Sequence, residues 1–296
     1  MKNTASGTKN ISENSSPTHW FKRHQVTTFF IITYAITWGI AAFAILFSTQ
    51  FKRIFGELTY FNPMAILAVA APTISATILT VAWQGKAGLR ELYARLIRWR
   101  FGIQWYAFLL IGIPFLGWLA ALVAGASPVY RLTSPALAFS VLLNLLVTGP
   151  LGEELGWRGY ALPRLLKRFS PLIASLILGA IWGVWHLPSF YISSLVQSGL
   201  SLPVFLCFAM INSILITWIF QHTGGSVLAI VLFHYAVNFS LSIIGAPMVA
   251  FMLVMLVAAL LVVALDKKID WFRKPELPGS PIGPESPSMF STQLGD

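Results

Sequence analysis

Residues 135–158 read PALAFSVLLNLLVTGPLGEELGWR. The stretch is apolar almost throughout, until two adjacent carboxylates, Glu153 and Glu154, interrupt it; Arg158 follows four residues after the second. A charged side chain at the centre of a bilayer costs at least ~2.5–3.5 kcal/mol, so a pair of acids there needs a partner or a water-filled cavity. The reading of this stretch as a membrane helix, with its acids retained for a purpose, decides the fold class.

The rest of the chain has the same character. Of 296 residues, 56% are hydrophobic and 10% are charged, against roughly 25% charged in an ordinary soluble domain. Mean hydropathy is +0.74, with 11 Trp and 22 Phe. This composition excludes a secreted or cytosolic globular enzyme. It predicts an all-α polytopic membrane protein. Eight spans are read near 26–48, 63–83, 104–125, 135–157, 171–192, 203–222, 226–245 and 247–265. Residues 1–25 read as a polar, disordered tail; its sequons at Asn10 and Asn14 are discounted as cytoplasmic. Residues 266–296 read as a second disordered tail, with Pro at 275, 278, 281, 284 and 287 in a period of three that suits polyproline II. The membrane domain is 26–265.

The net charge of +10 would suit a nucleic-acid partner, but its placement gives it another meaning. With the N-terminus inside, the cytoplasmic segments hold Lys2, Lys9, Lys22 and Arg23; Lys86, Arg90, Arg95, Arg98 and Arg100; Arg164, Lys167 and Arg168; and Lys267, Lys268, Arg273 and Lys274. The opposite loops hold Lys52, Arg53 and Arg131. The positive-inside rule then places both termini in the cytoplasm, and no nucleic acid is required. Within 88–101, Leu89, Leu92, Tyr93, Leu96 and Ile97 share one helical face, which reads as an amphipathic helix on the cytoplasmic leaflet or as a basic extension of a neighbouring span. Cys207, alone and in an apolar run, supports neither a disulfide nor a cysteine metal site. The final residues, Gln293 to Asp296, form no prenylation signal.

Between Leu92 and Leu265 the chain has no acids except Glu153 and Glu154. Glu154 and Arg158 lie at i, i+4 on one helix face and can neutralise each other. Glu153 is rotated by about 100° from its neighbour and is free to face a cavity. The alternative at this point is an ion network that serves folding alone. His186, in Trp182-Gly183-Val184-Trp185-His186, and His234 with Asn238 at i, i+4 add polar groups within spans. Asn144 and Asn212 read as hydrogen-bond donors between helices, and His222 as interfacial. If the chain turns at Phe169-Ser170, with Pro171 at the first helical position, Glu153 and His186 are equidistant from the turn. They then lie at one depth, about 25 Å from it. Gly149, Gly152, Gly156, Gly159, Gly179 and Gly183 allow close helix approach beside them.

These motifs resemble a known family. Glu153-Glu154-Leu155-Gly156-Trp157-Arg158 is similar to the Glu-Glu-x-x-x-Arg motif of the CAAX prenyl protease and bacteriocin-processing family, the Abi or type II CAAX proteases. Trp182-x-x-x-His186 is similar to its second motif, with Trp where Phe is commoner, and His234-x-x-x-Asn238 to its third. The motif core spans 149–240. The resemblance implies an intramembrane endopeptidase of the bacterial plasma membrane, acting on a membrane-associated and in some members prenylated peptide or protein. It implies Glu153 as general base, His186 as its aid in activating water, His234 and Asn238 as an oxyanion hole, and Glu154 and Arg158 as supports. It implies no cofactor; the competing reading is Zn²⁺ held by Glu153, His186 and His234, although no His-Glu-x-x-His helix is present. Two other functions fit the same residues: a transporter or proton-coupled carrier using the buried Glu, Arg and His set, and an inactive immunity or scaffold protein on the same fold.

Overall fold

The computed structural model describes residues 24–126 and 134–274. The two terminal tails read above (from 1 and to 296), with Asn10, Asn14 and the proline period, lie outside the described residues except for 24–25 and 266–274, as does Arg131. Among the described residues no strand occurs, and nine helices follow one another. They are α1 (Gln25–Leu46), the short α2 (Ser48–Phe55), α3 (Pro63–Leu96), α4 (Ile103–Val123), α5 (Pro135–Leu166), α6 (Pro171–Trp185), α7 (Leu202–His222), α8 (Val227–Ser242) and α9 (Met248–Leu265).

Local chemistry sets several of the starts. Asn62, Ser134 and Ser170 stand immediately before Pro63, Pro135 and Pro171, and their side chains accept backbone N–H groups of Met64, Leu137 and Ile173. A capping oxygen satisfies one orphan donor, and proline at the first helical position lacks the N–H that would be orphaned there. Ser226 caps α8 in the same way through Ala229.

Among the described residues, seven helices are long and apolar enough to cross a membrane: α1, α3, α4, α5, α6 with the turn after it, α7 and α9. The eighth expected span, 226–245, is α8 of 16 residues. At 1.5 Å per residue it rises about 24 Å, short of a ~30 Å hydrocarbon core, and most of it is buried among its neighbours. Exposed apolar side chains instead stripe the outer faces of α4 (Ile111, Phe115, Trp118, Leu122) and α9 (Leu253, Val257, Leu260, Leu261). Such continuous apolar surface is stable against lipid and not against water. The molecule is an all-α polytopic membrane protein.

Helix α1 packs on α3, α3 on α5, and α6 along α7; α8 and α9 close on α4. The α3–α5 contact is intimate because Gly156 has no side chain: a Cβ there would lie 2.4 Å from the backbone of Pro72.

Two elements depart from the sequence reading, and a third decides between its alternatives. Helix α5 was expected to end near 157 and continues to Leu166, passing through two wide helical turns, Val147–Leu151 and Leu155–Ala161. Pro150 removes a backbone donor and crowds the preceding turn, and the widened turn absorbs it without ending the helix. The amphipathic segment is a helix of its own, joined to the apolar part of α3 at Gly85, whose φ of 62° suits glycine and breaks the helix there; it follows the second span and is not an extension of the third. The bend is sharp. The Tyr93 hydroxyl reaches Thr77 Oγ1 at 3.0 Å, whereas a straight helix would separate these residues by about 24 Å. Leu92 is buried against Gly159 of α5, while Tyr93 and Ile97 stay exposed. Finally, the start of the expected C-terminal tail packs on the bundle. Asp266 accepts from Trp218 Nε1 at 2.7 Å, and the carbonyl of the buried Trp271 accepts the N–H of Leu172 at 3.1 Å.

Candidate active site

Glu153 and Glu154 occupy the single ordinary helical turn, Gly152–Glu154, between the two wide turns of α5. Both side chains are buried. They point to different partners, as adjacent helical positions require. Glu154 is held twice by Arg158, whose Nη1 lies 3.0 Å from each carboxylate oxygen, and again by His234 Nδ1 at 2.7 Å. Glu154 and Arg158 have no exposed surface. Removing one member of such a buried pair leaves an uncompensated charge and destabilises by about 3–5 kcal/mol.

Glu153 accepts a hydrogen bond from Trp182 Nε1 at 2.6 Å and lines a cavity of about 100 Å³ with His186. A water takes about 30 Å³ of liquid volume, so a few waters fit. The wall is completed by Thr37, Tyr60, Val69, Thr148 and Gln197, among others. Glu153 and His186, one on each arm of the α5–α6 hairpin, therefore face one cavity.

His186 stands where α6 ends. The last-turn carbonyls of a helix lack intrahelical partners, and here α1 supplies them: Tyr34 Oη donates to the Ile181 carbonyl at 2.5 Å, and Trp38 Nε1 to that of Trp185 at 3.1 Å. His186 Nδ1 lies 2.9 Å from the Trp182 carbonyl. A carbonyl only accepts, so Nδ1 carries the proton and the neutral ring keeps its lone pair on Nε2.

His234 and Asn238 sit one turn apart on α8 and face Gly149. A Cβ on Gly149 would lie 3.1 Å from Asn238 Nδ2 and 3.6 Å from His234 Nε2. Two side-chain nitrogens thus converge on the space that glycine leaves open. Neither His234 nor Asn238 lines the Glu153 cavity.

Trp182 joins the parts. Besides its bond to Glu153, its ring lies 4.4 Å from the Arg158 guanidinium carbon and makes edge contacts with His186 and His234, at centroid distances of 5.6 and 5.5 Å. The sequence shows an aromatic residue four before His186. That its indole N–H would meet Glu153, 29 residues away, has no local signal. Tyr60 and Gln197, bonded to each other at 2.7 Å in the cavity wall, are equally silent in sequence.

Other expected polar roles divide. Asn144 donates beyond its own helix, to the Tyr60 carbonyl at 3.0 Å, which lies in the loop before α3 and not on another helix. Asn212 does not: it donates to Phe208 of its own helix, and its Oδ1 is buried without a partner. His222 lies 3.1 Å from Asp266. Among the described residues no group of three or more His, Cys, Asp or Glu side chains converges as a metal set. Glu153, His186 and His234 are not gathered into such a set: His234 does not line the cavity that Glu153 and His186 share.

Residues 134–240 match the protein family described as Rce1-like, Type II CAAX prenyl endopeptidase. The chain is also 27% identical over 226 residues to CAAX prenyl protease 2 of Methanococcus maripaludis, an alignment covering 71% of this chain and 79% of that protein. That alignment is longer than the family segment, so the likeness reaches beyond the three motifs. With Glu153, Glu154, Arg158, Trp182, His186, His234 and Asn238 all inside 134–240, the segment that builds this site is the one that matches the type II CAAX prenyl endopeptidases.

Proposed function

We propose that this protein is an intramembrane endopeptidase that hydrolyses a peptide bond of a membrane-associated peptide or protein without a nucleophilic side chain. The observation that carries the reading is that Glu153 and His186 line one cavity large enough for water. In this mechanism the Glu153 carboxylate takes a proton from a water whose other hydrogen is held by His186 Nε2. The water oxygen bonds to the scissile carbonyl carbon. Charge moves to the carbonyl oxygen, where Asn238 Nδ2–H and His234 Nε2–H donate to it. Donation from Nε2 while Nδ1 donates to Glu154 requires an imidazolium. Two carboxylates, Arg158 and that cation then sum to zero. As the C–N bond breaks, the proton on Glu153 passes to the leaving nitrogen, giving an acid and an amine.

The reading needs no metal ion. Activity of the purified protein after exhaustive chelation supports it; activity that returns only with added Zn²⁺ overturns it. We place both termini in the cytoplasm, from the concentration of cations at one pole. The Glu153 cavity is lined by Leu58, Tyr60, Leu195 and Gln197 of the opposite loops, so substrate enters from the other side. The test of function is comparison of peptide termini in native membranes containing wild type or Glu153→Gln. Termini that vanish in the variant, together with intact proteins captured by it, identify substrates. Identical termini in both would refute the endopeptidase reading.

A further inference from the structure

A second cavity lies away from Glu153. It occupies about 500 Å³ between the start of α1, both sides of the α3 bend and the end of α5. Its lining holds four cations, Arg95, Arg164, Lys167 and Arg168, against one carboxylate, Glu91. That carboxylate is taken by Arg95 at 3.2 Å. Arg164 is oriented toward the cavity by three contacts: Gln25 Oε1 at 3.1 Å, the Tyr160 carbonyl at 2.8 Å and the Tyr160 ring at 3.6 Å. Lys167 and Arg168 are exposed at the rim.

Thr80 and Tyr160 stand behind this lining, both buried. The fold builds the space deliberately: Thr80 precedes the Gly85 bend and Glu91 and Arg95 follow it, so the bend opens the wedge that a straight α3 would not form.

We propose that this cavity binds a phosphate-bearing anion, supplied by the headgroup of an anionic phospholipid. The cations that line the cavity meet the phosphate. A lipid source follows from position. The cavity lies at the level where α1 begins and α5 ends, which is headgroup depth for spanning helices. Basic pockets between membrane helices are a recurrent solution to this recognition problem.

The experiment uses full-length protein in uncharged detergent, with phosphatidylglycerol, phosphatidylcholine and inorganic phosphate as separate probes, followed by native mass spectrometry and thermal unfolding. Phosphatidylglycerol is expected to remain bound at about one per chain. Lys167→Gln/Arg168→Gln, at exposed positions that leave folding intact, is expected to weaken it at least tenfold, and adding Arg95→Gln to weaken it further. Arg90→Gln/Lys268→Gln, which removes two exposed cations at the same pole outside the cavity, is expected to leave it unchanged. Binding of inorganic phosphate with the same variant pattern supports the site and assigns it to a soluble phosphate. Equal retention of phosphatidylcholine, indifference to the Lys167 and Arg168 changes, or equal losses in the control variant overturn the proposal.

Discussion

Helix α5 joins two polar regions that handle buried chemistry in opposite ways. At Glu153 and Glu154, the acids are met by protein: Trp182 for one, Arg158 and His234 for the other. Two turns further on, around Tyr160 and Arg164, four cations and one carboxylate line a cavity of about 500 Å³. The first region is organised in advance, which is what electrostatic stabilisation of a transition state requires. The second is an open space with an excess of positive charge, which suits the binding of an anion. One helix carries both because its widened turns change the direction of successive side chains within a short length.

The sharpest way to break this contrast is at the first region. Glu153→Ala and His186→Ala are each expected to lower substrate cleavage by about 10²–10⁴-fold, the range for loss of general acid–base catalysis, while the protein still inserts and folds. A cleavage assay with purified protein, run beside thermal unfolding, checks both halves; full activity in Glu153→Ala would remove the mechanism. Next in size, Arg158→Ala is expected to destabilise by about 3–5 kcal/mol through the stranded Glu154 charge. Equilibrium unfolding in detergent reads this, and an unchanged midpoint would mean that the ion pair is not the anchor of the site. Trp182→Phe keeps the ring beside Arg158 and removes the donor to Glu153. A hydrogen bond to a charged group contributes ~1.5–3 kcal/mol to stability, so the unfolding free energy should fall by about that much, and cleavage should fall with it as Glu153 loses the group that orients it. The smallest effect belongs to the second region. Thr80→Val removes a hydroxyl that has no partner, and without added lipid the midpoint should shift by less than ~1 kcal/mol, in the stabilising direction. A large destabilisation there would mean that the hydroxyl is already satisfied.

How much of this could be read beforehand depends on the distance over which each feature is decided. Glu154 with Arg158 and His234 with Asn238 are one helical turn apart, so the period of the helix alone puts each pair on one face. The α5–α6 hairpin was readable from Ser170-Pro171, which sets Glu153 and His186 on its two arms. The route of α3 was not. Gly85 permits a bend, but the return of Tyr93 to Thr77 depends on Leu92 finding a buried place against Gly159. The docking of Trp271 beside Leu172 was likewise read as tail, because a short polar stretch after a span gives no local sign of the surface it will meet.

The sequence by itself determined the membrane setting, the helical class, the accumulation of cations at one pole and the identity of the ionisable residues in the spans. These follow from composition and from interactions within a turn or two, where chain geometry is nearly fixed. Only the tertiary structure decided that Trp182 would join Glu153, Arg158 and both histidines, that Asn212 would bond to its own helix, and that a cationic cavity would open behind the Gly85 bend. Those outcomes rest on packing between segments far apart in the chain, whose mutual placement no local period encodes.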